Sequence, residues 1–497
     1  MSNLNKQKIV ESVPQTGFFG HPKGLFTLFF TEFWERFSYY GMKAILVYYM
    51  YYSLTKGGLG MDEQTALAIT SIYGALVFMS GVIGGWLSDR VLGASNSVLY
   101  GGILIMFGHI ALAVPGSKTM FFVSMILIVL GTGFLKPNIS TMVGQMYDIK
   151  DARRDAGFNI FYMGVNLGAI LSPLIVGTIG LKYNFHLGFG IAALGMFLAL
   201  VMYVTTRKKN LGLAGSFVTN PMSADEKKKV FTQIGIGIII VAILVVVGIT
   251  TKTLTINSFI NLVGILGFVI PLIYFIVMLR SPKTTKEERS RIIAYIPLFI
   301  AGVMFWSIEE QGSTILAEFV DKRTQLDIGG YHINPAWFQS LNPLFIIAFA
   351  PVLGNLWVKL GDRQPTIPQK FSFGIFLGGL GFVFLIVPAL IGGVHALVNP
   401  LWVTLSIFAV AIGELCLSPV GLSATTKLAP KAFSAQMMSL WLLTDAAAQA
   451  LNAQLVRFYT PANEMTYFGT IGVVSIILSF ILFAMSPKLQ KFLGGIK

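Results

Sequence analysis

The chain has 497 residues, 55% of them hydrophobic and only 12% charged, with a mean hydropathy of +0.73. A soluble chain carries about 25% charged residues and needs them to cover its surface, so a soluble multi-domain protein is excluded. The 52 glycines follow no Gly-X-Y period, which excludes fibrous classes, and the one cysteine, Cys416, permits no intramolecular disulfide.

Stretches of about 20 mostly apolar residues can cross a bilayer. Fourteen are predicted, at 25–53, 66–89, 96–114, 120–144, 156–179, 186–206, 231–250, 258–279, 291–317, 336–358, 370–391, 400–422, 434–457 and 467–486. The first is too long and too polar for a cleaved signal peptide. The longest connection, 207–230, carries Arg207, Lys208, Lys209 and Lys227, Lys228, Lys229 around a turn-prone middle and reads as a cytoplasmic linker. With the N-terminus inside, 26 Lys and Arg fall in cytoplasmic segments, 7 in outside loops and 3 (Arg36, Lys43, Lys136) within spans. This asymmetry follows the positive-inside rule and predicts a multi-pass protein with both termini cytoplasmic. The net charge of +14 then reflects topology and anionic inner-leaflet lipid, with no nucleic-acid partner.

The second and tenth spans end alike, in Gly85-Trp-Leu-Ser-Asp89-Arg90-Val-Leu-Gly93 and Gly354-Asn-Leu-Trp-Val-Lys359-Leu-Gly361. If spans seven and eight are an insertion, these are equivalent helices of two six-helix halves, the usual build of secondary transporters. The expected division is 1–206, 207–290 and 291–497, a 6 + 2 + 6 arrangement.

Ionisable side chains at mid-bilayer cost about 2.5–3.5 kcal/mol even on the lenient insertion scale, so each marks a candidate site. In the first span, helical spacing puts Glu32, Glu35, Arg36, Tyr39 and Lys43 on one face. Lys136 interrupts the fourth span, Glu309 and Glu310 the ninth, and Glu414 and Asp445 lie in apolar stretches further on. Glu32 and Arg36 are equally readable as a structural ion pair. The whole set is not, because buried ion pairs are weak stabilisers. Cations mainly in the first half and carboxylates mainly in the second suggest a pathway for a zwitterion held across the middle. Substrate that displaces a cation changes a carboxylate's proton affinity, which couples proton to substrate. Sodium would want convergent oxygen ligands and unwound backbone, so protons are favoured.

Seven motifs occur in order. They are Glu32-x-x-Glu35-Arg36-Phe-x-Tyr39-Tyr40-Gly41, Gly84-Gly-Trp-Leu-Ser-Asp89-Arg90-Val-Leu-Gly93, Gly133-Phe-Leu-Lys136-Pro137-Asn138, Phe161-Tyr162-x-x-Val165-Asn166-x-Gly168, Trp306-x-x-Glu309-Glu310-Gln311-Gly312-Ser313, Gln339-x-x-Asn342-Pro343 and Gly413-Glu414-x-x-x-Ser418-Pro419. In these the chain resembles the proton-dependent oligopeptide transporter (POT) family of the major facilitator superfamily, over nearly its whole length.

The resemblance implies an all-α polytopic major facilitator fold of 14 transmembrane helices and a proton-coupled symporter importing di- and tripeptides by alternating access. It implies a proton gradient as energy source and no cofactor, no metal and no obligatory protein partner. By analogy Glu32, Glu35 and Arg36 form the proton-coupling triad. Lys136 and Lys43 would receive the peptide carboxylate, and Glu414, helped by Asn166 and Asn342, the amino group. Glu310 would form a switching salt bridge with Lys136 or Lys43. Tyr39, Tyr40, Trp306 and Trp441 would line side-chain pockets. Termini of such peptides lie about 5–10 Å apart, so opposite clusters could clamp them by their ends.

Three positions depart from the family pattern. Position 43 is Lys where many members have Arg, which loses bidentate carboxylate recognition. Phe78 stands where relatives often have Tyr. Asp445 is an additional carboxylate, readable as a second amine contact or, more plainly, as a group facing cytoplasmic water or a polar neighbour. An alternative within transport is a carrier of another small zwitterion or anion, such as nitrate or a modified amino acid. A membrane enzyme is disfavoured because His21, His109, His186, His332 and His395 show no metal spacing and no Gly-x-Ser-x-Gly elbow occurs. A peptide-sensing receptor would need a signalling domain.

Overall fold

The computed structural model describes residues 3–115, 118–148, 151, 153–393 and 396–493; Lys150, His395 and Lys497 lie outside them. Fourteen long helices follow one another: α1 Gly24–Tyr51, α2 Glu63–Leu87, α3 Ala94–Ala113, α4 Lys118–Gln145, α5 Arg154–Ser172, α6 Phe185–Asn210, α7 Ala224–Thr250, α8 Ile256–Arg280, α9 Lys286–Glu309, α10 Leu341–Leu360, α11 Ile367–Gly392, α12 Pro400–Leu428, α13 Ser434–Leu455 and α14 Glu464–Phe492. Among the described residues, twelve helices are long and apolar enough to cross a membrane. The two long helices outside that count are α1, which carries Glu32, Glu35, Arg36 and Lys43, and α13, which carries Asp445, Gln449 and Asn452. The polarity that lowers their hydropathy is the polarity of the site.

Two helices carry an irregular turn that the predicted spans did not show. α5 continues through a π-helical turn at Pro173–Gly177 into Thr178–Lys182. The ninth span breaks at a 3₁₀ turn, Glu310–Ser313, and resumes as a short helix, Ile315–Arg323. Buried side chains hold this break. Ser307 donates to Asn452 Oδ1 (2.6 Å), Gln311 donates to the Ser307 carbonyl (2.9 Å) and to Asn452 Oδ1 (3.2 Å), and Tyr467 donates to Gln311 Oε1 (2.9 Å). Buried polar groups seek partners, and this network bonds Ser307, both ends of the Gln311 amide and the Asn452 carbonyl while fixing an irregular backbone.

The all-α expectation is departed from by one ribbon, Asp327–Ile328 paired antiparallel with Tyr331–His332. Gly329 and Gly330 turn it with φ of 60° and 81°, the positive values at both turn positions that a two-residue hairpin of this hand requires.

α1 packs on α5 and α6, α3 on α4 and α6, and α2 on α4. α11 packs on α12 and α14, α9 on α13 and α11, and α10 on α12. α2 also packs on α13. Small residues allow the closest approaches: a Cβ on Gly84 of α2 would lie 2.0 Å from the Gly133 carbonyl of α4. α8 packs on α13, whereas α7 stands apart, its Leu244 63% exposed.

The short helix near the N-terminus and the end of α14 lie on one face, called here the terminal face. Ser290, at the start of α9, donates to the Phe492 carbonyl at the end of α14 (3.5 Å). A short helix, Asn3–Ser12, lies against the 211–223 connection, where Leu213 N–H donates to Ser12 Oγ (2.9 Å). Arg153 donates to the carbonyls of Gln15 and Gly20 (3.1 Å each), just beyond that helix, and to the Asp151 carboxylate (2.8 Å). The Arg153 guanidinium holds the Asp151 carboxyl below its ordinary range.

Candidate functional site

A cavity of about 500 Å³ lies at mid-depth, walled by α1, α2, α4, α5 and α9–α13. Every residue that sequence reading places at a substrate site lines it: Tyr39, Tyr40, Lys43, Lys136, Asn166, Trp306, Glu310, Asn342, Glu414 and Trp441. Their elements lie far apart in sequence, so the fold alone brings them together.

On α1, Arg36 is 2% exposed and reaches two carboxylates. Its Nη2 donates to Glu35 Oε1 at 2.8 Å, its Nε also bonds Glu35, and Nε lies 3.3 Å from Glu32 Oε1. Glu32 and Arg36 stand on the cavity wall. Glu35, fully buried, grips Arg36 from behind it. Helical spacing therefore overstated Glu35: it belongs to the charge cluster, not to the lining. The Arg36 guanidinium also lies 5.1 Å and 5.9 Å from the ring centroids of Tyr39 and Tyr40, a cation–π arrangement that orients both rings.

Lys43, two turns further along α1, donates to Glu310 Oε2 at 2.8 Å. Of the two cations that the sequence left open for Glu310, Lys43 is the partner here. The break in α9 makes this possible by turning Glu310 toward α1. Gln449 of α13 donates to the same oxygen and is itself seated against α2, where a Cβ on Gly74 would lie 2.5 Å from its Nε2. Sequence reading missed Gln449. The signal was the polar series Trp441, Asp445, Gln449 at i, i+4, i+8 on a helix otherwise rich in alanine.

Lys136 has no ion-pair partner among the described residues. Its ammonium lies 4.4 Å from the centroid of the Phe78 ring, so the phenyl face supplies a cation–π contact where a tyrosine hydroxyl was expected in relatives.

The opposite wall is acidic. Asn342 Nδ2 donates to Glu309 Oε1 (3.0 Å) and to Glu414 Oε2 (3.2 Å), drawing two carboxyl groups from α9 and α12 onto one amide. Glu309 was noted in the sequence as a break in the span but not assigned to the site. Asn166 faces the cavity, but its amide donates to the Tyr162 carbonyl of its own helix (2.9 Å), not to Glu414. Trp306 presents a buried, unbonded Nε1. Asp445 is 9% exposed, lines the cavity and has no hydrogen-bond or ion-pair partner among the described residues. A place on the cavity wall is compatible with both readings of Asp445, an amine contact and a carboxylate facing cavity water.

The cavity is closed on the side opposite the terminal face. Tyr51 and Tyr52 donate to the two oxygens of Asp321 (2.7 and 2.9 Å), and Lys322 pairs with Glu63. Trp337 donates to Thr178 (2.8 Å) and Ser340 to the Ile170 carbonyl (2.8 Å). On α10, Val352 is 58% and Val358 80% exposed.

A family model described as the POT family matches residues 95–478. The chain belongs to the POT family. It is 46% identical over 504 residues to a di-/tripeptide transporter of Lactococcus lactis subsp. cremoris, covering 100% of both chains. It is 60% identical over 496 residues to the uncharacterized transporter YclF of Bacillus subtilis (strain 168), again covering 100% of both. A crystal structure of a peptide transporter POT in complex with sulfate superposes with a TM-score of 0.96 at 67% identity, covering 98% of this chain and 99% of that one. This POT member is therefore a multi-pass membrane transporter and not an enzyme.

Proposed function

We propose that this POT-family protein is a proton-coupled symporter that imports di- and tripeptides across the cell membrane by alternating access. In this reading all fourteen helices cross the bilayer. The halves 1–206 and 291–497 rock against each other, 207–290 contributes the two additional helices, and both termini are cytoplasmic. With the side opposite the terminal face closed, the structure then corresponds to an inward-facing state.

The single observation that carries the reading is the division of charge across one cavity. Lys43 and Lys136 lie on the α1–α4 wall, and Glu309, Asn342 and Glu414 on the wall of α9, α10 and α12. An ammonium placed against two carboxyl groups bridged by an amide, and a carboxylate placed against two lysines, describe a peptide held by its ends. Tyr39, Tyr40, Trp306 and Trp441 stand between, with Asn166 beside them. Apolar pockets discriminate by about 1–3 kcal/mol per methylene, so many side chains are tolerated while length and termini are selected.

The coupling follows from the ion pairs. Proton binding at Glu310 neutralises the partner of Lys43 and frees that ammonium for the peptide carboxylate. Glu32 and Glu35 compete for Arg36, so a proton on one leaves the guanidinium to the other. Release of the Lys43–Glu310 pair unties α1 from the break in α9, a link between the halves. Sequential protonation thus connects substrate binding to rocking.

The experiment that tests the substrate class is competition against uptake of radiolabelled Ala-Ala by proteoliposomes. Inhibition by tripeptides and none by free alanine is expected. Inhibition by free amino acids or nitrate in place of peptides would overturn the reading.

A further inference from the structure

The wall of the cavity carries five carboxyl groups and three cations. Glu32 is paired with Arg36 and Glu310 with Lys43. Glu309 and Glu414 share Asn342. Lys136 sits on the Phe78 ring. One carboxylate is left over: Asp445, nine-tenths buried, on the lining, without a hydrogen bond or ion pair among the described residues. A buried carboxylate in a membrane interior is costly and marks a site that awaits a cation.

Its position says which cation. Asp445 lines the same cavity as Glu310, Lys136, Glu414 and Lys43, members of both end-binding clusters. Between the clusters run the side chains of an end-held peptide, not its termini. One turn earlier on the same helix, Trp441 lines the cavity too, and an indole face binds a desolvated cation. When the peptide carboxylate engages Lys136, the charge that balances Asp445 at a distance is taken up, and its attraction for a second cation increases.

We propose that Asp445 and Trp441 form a side-chain subsite that selects peptides bearing a cationic residue, a preference resting on the peptide-transport reading above. Specificity is then more than length and termini: the cavity favours lysyl- and arginyl-containing dipeptides over neutral ones of equal size.

The test is inhibition of radiolabelled Ala-Ala uptake in proteoliposomes by Ala-Lys and by Ala-norleucine, which match in length and differ in charge. Ala-Lys is expected to inhibit at on the order of tenfold lower concentration, the discrimination of one desolvated charge pair. In Asp445→Asn this ratio is expected to fall to within about twofold, and Asp445→Glu to retain it. Equal inhibition by the two peptides in the unaltered protein, or an unchanged ratio in Asp445→Asn, overturns the subsite. If Asp445→Asn does not insert, the ratio in the unaltered protein decides alone. Ala-Ala uptake reports separately on the peptide reading, because it can succeed with a ratio of one.

Discussion

Lys43 and Glu310, 267 residues apart, are joined by a 2.8 Å ion pair between the middle of α1 and the break in α9. The pair is one of the few polar ties between the two halves at the depth of the cavity. Glu310→Gln is expected to abolish proton-driven accumulation of Ala-Ala while leaving exchange of internal for external peptide measurable. The reason is that an amide cannot take up and release the coupled proton. Normal accumulation by Glu310→Gln would remove this carboxylate from the coupling.

The contact behind Arg36 is as consequential as the one in front. Glu35→Gln removes a buried charge-assisted partner and leaves the guanidinium to Glu32. Gradient-driven uptake is expected to be lost and counterflow kept. Both activities lost together, with the protein folded, would make Glu35 structural.

The cation–π seat of Lys136 predicts a graded pair of effects. Phe78→Leu is expected to raise the KM for Ala-Ala by about 2- to 5-fold, corresponding to about 0.5–1 kcal/mol of cation–π energy. Lys136→Ala, which removes the charge itself, is expected to cost at least about tenfold. Equal effects of the two substitutions would contradict the division of roles.

Gly84 and Gly133 allow α2 and α4 to meet backbone to backbone. Gly84→Ala places a methyl against a carbonyl oxygen that cannot move aside. A loss of about 1–3 kcal/mol is expected, seen as a lower midpoint of thermal unfolding in detergent. An unchanged midpoint would show that the two helices separate at little cost.

Much of the site was legible because charge stands out in an apolar chain. Glu32, Arg36, Lys43, Lys136, Glu310 and Glu414 each violate the hydropathy of their span, and the structure gathers them in one cavity. What sequence could not convey is direction and partnership. Helical spacing could not tell that Glu35 lies off the cavity lining, bonded to Arg36. Nor could it tell that Glu310 turns to Lys43 rather than to Lys136, which depends on the break held by Ser307, Gln311, Asn452 and Tyr467. Gln449 was hidden because neutral amides cost less in a span than charges and stand out less. Most long helices were read closely, but α7 begins at Ala224 rather than 231, α9 runs Lys286–Glu309 rather than 291–317, and α12 and α14 end at Leu428 and Phe492 rather than 422 and 486. The ribbon at 327–332 was missed because its two-residue strands show no alternation.

The most direct measurement is accumulation of radiolabelled Ala-Ala in proteoliposomes of the purified protein, with and without an inwardly directed proton gradient and without sodium. Uptake that exceeds equilibrium only with the gradient, and collapses on adding a protonophore, is the expected result. Accumulation indifferent to the gradient, or none from protein shown to be folded, would contradict proton-coupled peptide import.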